Sequence, residues 1–334
     1  MNPTILICAF ISFFIVLLTT PWWISHFLKK IHLEVKDQNK EGTPLVTLSG
    51  GIPVLSGILA GLLFFIFIRT FSPVDSGLVL DAKNLSALFA AMISLAIITF
   101  IGFLDDLVIE SKDNSSGLKQ WQKPFLTVFA AIPLMAVSLG TSQMGVPFIG
   151  VIDFGILYPL LLVPIGVVGA SNMVNMLAGF NGLETGMGII YLGSLGLFAY
   201  SQHEYVAALL ALVSFAALVA FFFYNKTPAK ILAGDSLTYL LGGVLAIIAI
   251  IGNLERAALI LSIPFFIEFI LKARSNFKAQ TYGTWKDGKI HSRSGKKIYS
   301  IPHLFTRTGT FTEKQIVWIM IAIEAFFSAL IWII

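Results

Sequence analysis

Few residues in this chain can do polar chemistry, and they fall at short, orderly intervals. Asp105 and Asp106 close the run Phe-Ile-Gly-Phe-Leu-Asp-Asp, and Asn172 and Asn175 lie three apart, on one face of a helix. Asn181 and Glu184 follow at once, and Asp235 stands in Ala-Gly-Asp-Ser after Lys226 and Lys230. Aspartate and asparagine offer only oxygen to a metal, and no His–Cys cluster of the kind zinc or copper requires is present. Hard oxygen donors with lysines nearby suit Mg²⁺ shared with phosphate groups. Phosphoryl transfer needs cations that neutralise spreading charge, and groups that hold nucleophile and leaving group in line. Gly295-Lys296-Lys297 lacks the preceding glycine and the Ser/Thr of a Walker A loop, which argues against a P-loop ATPase.

The elements that must position these residues are membrane-spanning. The 334 residues are 57% hydrophobic and only 12% charged, with a mean hydropathy of +0.87. A soluble domain carries about a quarter charged residues, so an ordinary soluble enzyme, a disordered chain and a disulfide scaffold are all excluded. The one cysteine, Cys8, has no partner. A membrane helix needs about 20 apolar residues. Runs of that kind fall near 4–26, 49–68, 85–104, 124–140, 156–174, 185–201, 206–224, 237–253, 257–271 and 313–334. The expected fold is therefore an all-α polytopic membrane protein of about ten transmembrane helices. It reads as a single domain over 1–334, with one long loop at 272–312.

Ten spans place the loops alternately on two sides. Nineteen of the 22 Lys and Arg, Lys112 among them, then fall on one side, against Arg69, Lys83 and Arg256 on the other. Basic loops stay cytosolic, so both termini are expected outside. The net charge of +4 thus describes a basic membrane face and not a nucleic-acid site. The acids and amides named above also lie at the cytosolic helix ends. A transporter would place its ionisable groups near mid-membrane, where only Glu268 and Glu324 fall. Plainer readings exist for each residue taken singly. Asp105-Asp106 could be a solvated helix end, Asn172 and Asn175 interhelical glue, and Asp235 an N-cap. Gly57 and Gly61 form a GxxxG that reads as close helix packing.

Together the motifs carry more. Gly102-Phe-Leu-Asp105-Asp106, then Asn172-Met-Val-Asn175-Met-Leu-Ala-Gly-Phe-Asn181-Gly-Leu-Glu184, then Ala233-Gly-Asp235-Ser occur in order. Along nearly its whole length the chain resembles the polyprenyl-phosphate N-acetylhexosamine-1-phosphate transferases. The Ala-Gly-Phe-Asn-Gly-Leu-Glu segment, and Val35-Lys-Asp37-Gln-Asn39-Lys40 in the first cytosolic loop, look like the dolichol-linked archaeal and eukaryotic branch.

The resemblance implies Mg²⁺, with Mn²⁺ as a substitute, held by Asn175 and Asp235. It makes Asp105 and Asp106 the essential acidic pair, leaving open which acts and whether as a base. It implies a phosphate-binding lysine, for which Lys123 fits best and Lys119 is second. Asn172, Asn181 and Glu184 would line the nucleotide pocket. The 272–312 loop would recognise the sugar through His303, with Arg293 and His291 as alternatives. The implied partners are UDP-GlcNAc, dolichyl or polyprenyl phosphate and membrane lipids, with a homodimer as an option. The implied reaction transfers GlcNAc-1-phosphate to the lipid phosphate and releases UMP. The alternatives are the same chemistry with another UDP-N-acetylhexosamine, or an anionic-solute transporter. The short loops lean toward an archaeal cell membrane over the endoplasmic reticulum.

Overall fold

Apolar helices pack side by side, and all the polar segments of the site meet at one end of them. The computed structural model describes residues 2–71, 81–109, 117–146 and 150–333. Lys112 of the basic set lies outside these residues. The long helices are α1 (Pro3–Trp22, continued as a π-helical turn to Leu28), α2 (Gly51–Phe71) and α3 (Ala82–Val108). Next come α4 (Gln122–Thr127), α5 (Ile132–Ala136), α6 (Val163–Met176), α7 (Leu183–Ser201), α8 (Tyr205–Asn225) and α9 (Gly234–Gly252). The last are α10 (Glu255–Leu261), α11 (Ile263–Ala273), α12 (His303–Thr306) and α13 (Glu313–Leu330).

Local chemistry starts several of these helices. Asn2 caps α1 with Pro3 at its first position, and Asp81 accepts from the Asn84 N–H at the head of α3. Thr312 and Gln315 form a reciprocal capping box on α13.

Among the described residues, seven helices are long and apolar enough to cross a membrane, which makes the chain a polytopic helical membrane protein. Of the other three expected runs, two are interrupted and one is an unbroken helix outside those seven. The 124–140 run is α4, a 3₁₀ turn and α5, with Pro133 at the start of α5. The 257–271 run is split at Ser262, where Pro264 cannot continue the preceding helix and instead opens α11. The 185–201 run is α7, a single helix of 19 residues.

Helix α1 packs on α8 and α2, α3 and α6 on α9, and α7 on α8 and α13. Gly57 and Gly61 face Ser12 and Cys8 of α1 at backbone contact, so the GxxxG does serve close packing. Among the described residues the strands form three two-stranded antiparallel sheets: β1 (Glu34–Lys36) with β2 (Leu45–Thr47), β3 (Gln143–Val146) with β4 (Gly150–Asp153), and β5 (Thr284–Lys286) with β6 (Lys289–His291). The last turns through Asp287 and Gly288, both at positive φ, as a tight two-residue hairpin requires.

One close approach fixes the site's frame. A Cβ on Gly102 of α3 would strike the carbonyl oxygen of Asp235 at the head of α9. Gly102→Val is therefore expected to destabilise the protein by about 1–3 kcal/mol. Gly166→Ala, in α6 where a Cβ meets open space, should be neutral or slightly stabilising. Thermal unfolding of the two detergent-solubilised variants checks the contrast.

Candidate active site

The head of α9 is held by a carboxylate from another helix. Asp106, at the end of α3 and fully buried, accepts from the main-chain N–H of Asp235 (2.7 Å) and of Ser236 (3.2 Å) and from the Ser49 hydroxyl (2.6 Å). The first N–H groups of a helix lack internal partners, and a carboxylate at that end also complements the helix dipole. The cap of α9 thus comes from Asp106, while the Asp235 side chain is left to face a cleft. The segment before α2 completes the frame: the Gly50 N–H donates to the Ala233 carbonyl (2.9 Å) and the Gly51 N–H to Ser236 Oγ (3.2 Å).

One residue earlier in α3, Asp105 points to a different set of partners. It is also fully buried, accepts from the Leu118 N–H at 2.6 Å and lies 3.4 Å from the Tyr239 hydroxyl. Lys123 Nζ sits 2.7 Å from Asp105 Oδ2 and 2.7 Å from Asp235 Oδ2. Asn175, in the last turn of α6, donates to Asp235 Oδ2 at 3.0 Å. Four elements therefore converge on one point, with one ammonium between two carboxylates. Lys119 is exposed on the preceding loop and does not reach this cluster. Asn172 donates to Thr127 Oγ1 (3.1 Å) and to its own Val168 carbonyl (2.8 Å), so it links α6 to α4 while also facing the cleft.

The cleft holds about 1200 Å³. Its polar end carries Lys123, Asn172, Asn175, Asp235, Asn181, Glu184, Asp37 and Asn39. From there it runs between α6, α9 and α11 along Val163, Ile165, Leu245, Ala249, Ile250 and Phe266 to Tyr158 and Glu255, which hydrogen-bond each other. Asp235 and Glu255 flank α9, so at 1.5 Å per residue the cleft follows about 30 Å of helix.

The polar end is walled by three interlocked segments. Asn39 donates to the Gly179 carbonyl (2.7 Å) and accepts from the Gly283 N–H (3.1 Å). Asn181 Nδ2 donates to Asp37 Oδ2 at 2.8 Å, and Glu184 accepts from the Gly179 N–H at 2.7 Å. Lys40 pairs with Glu313. Burial pulls the Lys40 ammonium below its usual range, while neighbouring Asp37 opposes that shift.

The long loop places its candidates unequally. Arg293 stacks 4.8 Å over the ring of Tyr282, a cleft residue, and donates to Gln38 Oε1 (2.7 Å) and the Gly283 carbonyl (3.1 Å). His291, on β6, packs against Gly309 and does not border the cleft. His303 is 1% exposed and also away from the cleft, with both ring nitrogens engaged by main chain. Nδ1 accepts from the Tyr299 N–H (3.3 Å) and Nε2 faces the Gln280 carbonyl (2.8 Å). In this structure it orders the loop and presents no nitrogen to a sugar. Lys272, read only as one of many basic residues, is buried on the cleft wall and donates to the Ala279 carbonyl and to Thr281 Oγ1. Glu268 accepts from the Ile301 N–H at 2.8 Å, which makes it an anchor for the loop and not a mid-membrane relay. Ser49, Tyr239, Lys272 and Glu313 carry no local motif; only their partners, remote in sequence, mark them.

Burial lowers the His303 pKa from its usual value. The folded state then resists protonation, whereas the unfolded chain takes a proton below about pH 6.5. Stability should accordingly fall as pH drops through 6.5. His303→Gln should lose part of that dependence, as thermal unfolding at pH 7.5 and 5.5 would read.

Known proteins resemble this chain over nearly its whole length. Residues 88–253, from α3 to the end of α9, match glycosyl transferase family 4. A protein of Saccharolobus solfataricus, provisionally named UDP-N-acetylglucosamine–dolichyl-phosphate N-acetylglucosaminephosphotransferase, is 37% identical over 98% of this chain and 95% of its own length. A protein of Sulfolobus acidocaldarius with the same provisional name is 34% identical over 98% of this chain and 94% of its own. The phospho-N-acetylmuramoyl-pentapeptide-transferase of Enterococcus faecalis is 27% identical over 93% of this chain and 96% of its own. With similarity of this extent to the two archaeal proteins, and with the matched segment holding Asp105, Asp106, Lys123, Asn175 and Asp235, the chain belongs to glycosyl transferase family 4.

Proposed function

We propose that the protein transfers GlcNAc-1-phosphate from UDP-GlcNAc to dolichyl phosphate, forming dolichyl-diphosphate-GlcNAc and releasing UMP. The observation that carries this reading is the cleft itself. Its polar end, built on Lys123, Asp105, Asp235 and Asn175, is continuous with an apolar trough along α9. A phosphate on a long apolar chain matches both halves, and the names of the archaeal relatives support the same substrates.

In the reaction, an oxygen of the lipid phosphate bonds to the β-phosphorus of the nucleotide-sugar. The bond from that phosphorus to the oxygen bridging to the α-phosphate breaks, and the bridging oxygen leaves with UMP. A phosphomonoester has a second pKa near 6, so the nucleophile is already largely ionised at neutral pH and needs no strong base. Lys123 holds phosphate oxygens in place and offsets their charge. Asp105 fixes the Lys123 ammonium, and Asp106 fixes the head of α9 that carries Asp235. Asp105 and Asp106 are thus read as positioning groups.

Asp235 and Asn175, adjacent hard-oxygen side chains on the cleft wall, fit Mg²⁺, with Mn²⁺ as substitute, and would hold it. When bound, the ion neutralises charge developing on the diphosphate. Asn181, Glu184, Asp37 and Asn39 form the nucleotide wall, and Arg293, through Tyr282, borders the sugar.

The topology proposed is ten crossings. Helix α7 and the broken α4–α5 and α10–α11 pairs join the seven long helices, with both termini outside and the site at the cytosolic face of an archaeal cell membrane.

Asp235→Asn and Asp105→Asn are expected to abolish Mg²⁺-dependent UMP release in folded protein. Lys123→Met should lower turnover by at least about 100-fold, and Lys119→Met should leave it within twofold. An assay of the purified variants with dolichyl phosphate and UDP-GlcNAc reads all four. Near-normal turnover of Asp235→Asn or Lys123→Met would overturn the site assignment.

A further inference from the structure

A second buried polar group lies beyond the Lys123 cluster and is not used by the chemistry above. Glu313, the first residue of α13, is 5% exposed. Its carboxylate accepts from the main-chain N–H of Asn181 at 3.0 Å and pairs with Lys40. Thr227 Oγ1 lies 3.3 Å from that carboxylate and 3.3 Å from the Asn181 carbonyl, able to donate to one at a time. Asn181 Nδ2 is held by Asp37, whose carboxylate lies 3.8 Å from Lys40 Nζ.

A carboxylate only accepts, so the amide of Asn181 cannot flip: Nδ2 faces Asp37 and Oδ1 is turned away from it. Three segments far apart in sequence thereby fix one short turn from both its main chain and its side chain. Asn181 and Asp37 border the cleft, whereas Glu313, Lys40 and Thr227 do not. A buried carboxylate with charged and neutral donors costs much to strip of either, so its retention behind a binding wall calls for a role there.

We propose that Glu313 is a positioning residue for the nucleotide end of the cleft, holding the Asn181 turn so that it sets affinity for the nucleotide-sugar and not the rate of phosphoryl transfer. The proposal rests on the reading of Asn181 as part of the nucleotide wall. Glu313 shares no partner with Lys123, Asp105 or Asp235, which is why the two effects separate.

Glu313→Gln keeps an oxygen for the Asn181 N–H and removes the ion pair with Lys40. It is expected to raise KM for UDP-GlcNAc and the inhibition constant of UMP together, by about tenfold. The saturated kcat and the KM for dolichyl phosphate should stay within twofold. Glu313→Asp, which restores the charge, should recover part of the loss. A folded Glu313→Gln variant with unchanged KM and UMP inhibition, or with kcat lowered at constant KM, would overturn the proposal.

If Glu313→Gln does not fold, Thr227→Val tests the same network. A KM raised about threefold supports the proposal and an unchanged KM overturns it. Calorimetric binding of UMP to the purified wild-type and Glu313→Gln proteins keeps the two readings apart. Wild-type protein that binds UMP but releases none from UDP-GlcNAc would fail the transferase reading, while weaker UMP binding by the variant would still sustain the role of Glu313.

Discussion

The site depends on one buried charge–dipole contact, the carboxylate of Asp106 against the first N–H groups of α9. Asp106 is sealed from solvent and satisfied by Asp235 N–H, Ser236 N–H and the Ser49 hydroxyl. Buried without these donors, a carboxylate would be costly; with them it locks three segments, α3, α9 and the loop leading into α2. The neighbouring Asp105 then has its direction set by α3, and Asp235 by α9. Lys123 can meet both only because that lock has already been made. Gly102 allows it, since its missing side chain lets α3 approach the head of α9 at backbone distance.

The two halves of the cleft are held together differently. Asn181, Asn39 and Asp37 are cross-braced by hydrogen bonds between segments more than 100 residues apart, and Glu184 ties its own turn to Gly179. The trough is walled by aliphatic side chains on α6, α9 and α11, which make no directional bonds. Directional bonds where charge must be placed, and apolar packing where an apolar chain would lie, is the division that positioning-based catalysis favours.

Much of this was legible in the sequence, for physical reasons. In a chain with so little charge, Asp105, Asp106, Asn175 and Asp235 stand out, and helices that traverse the membrane bring their ends to common depths. The span near 257–271 was drawn as one helix although Pro264 lies inside it; proline at that point is the signal that the run would split. An N-cap on α9 is the plainer of the readings open to Asp235, because local rules look for caps within a few residues of the helix start. The true cap comes from 129 residues away, where no spacing rule reaches. The resemblance points to His303 for the sugar, yet its burial against the Gln280 and Tyr299 main chain is a tertiary fact.

The loop between α11 and α13 is tied down at almost every turn: Lys272 to Thr281, Gly283 to Asn39, Arg293 to Gln38, Ile301 to Glu268. Its β5–β6 tip is the exception. Asp287 and Gly288 are exposed, and a side chain built on Gly288 would touch nothing. A fluorophore or an epitope grafted at that tip would stand clear of those ties, giving a handle on the molecule that leaves every brace of the cleft in place.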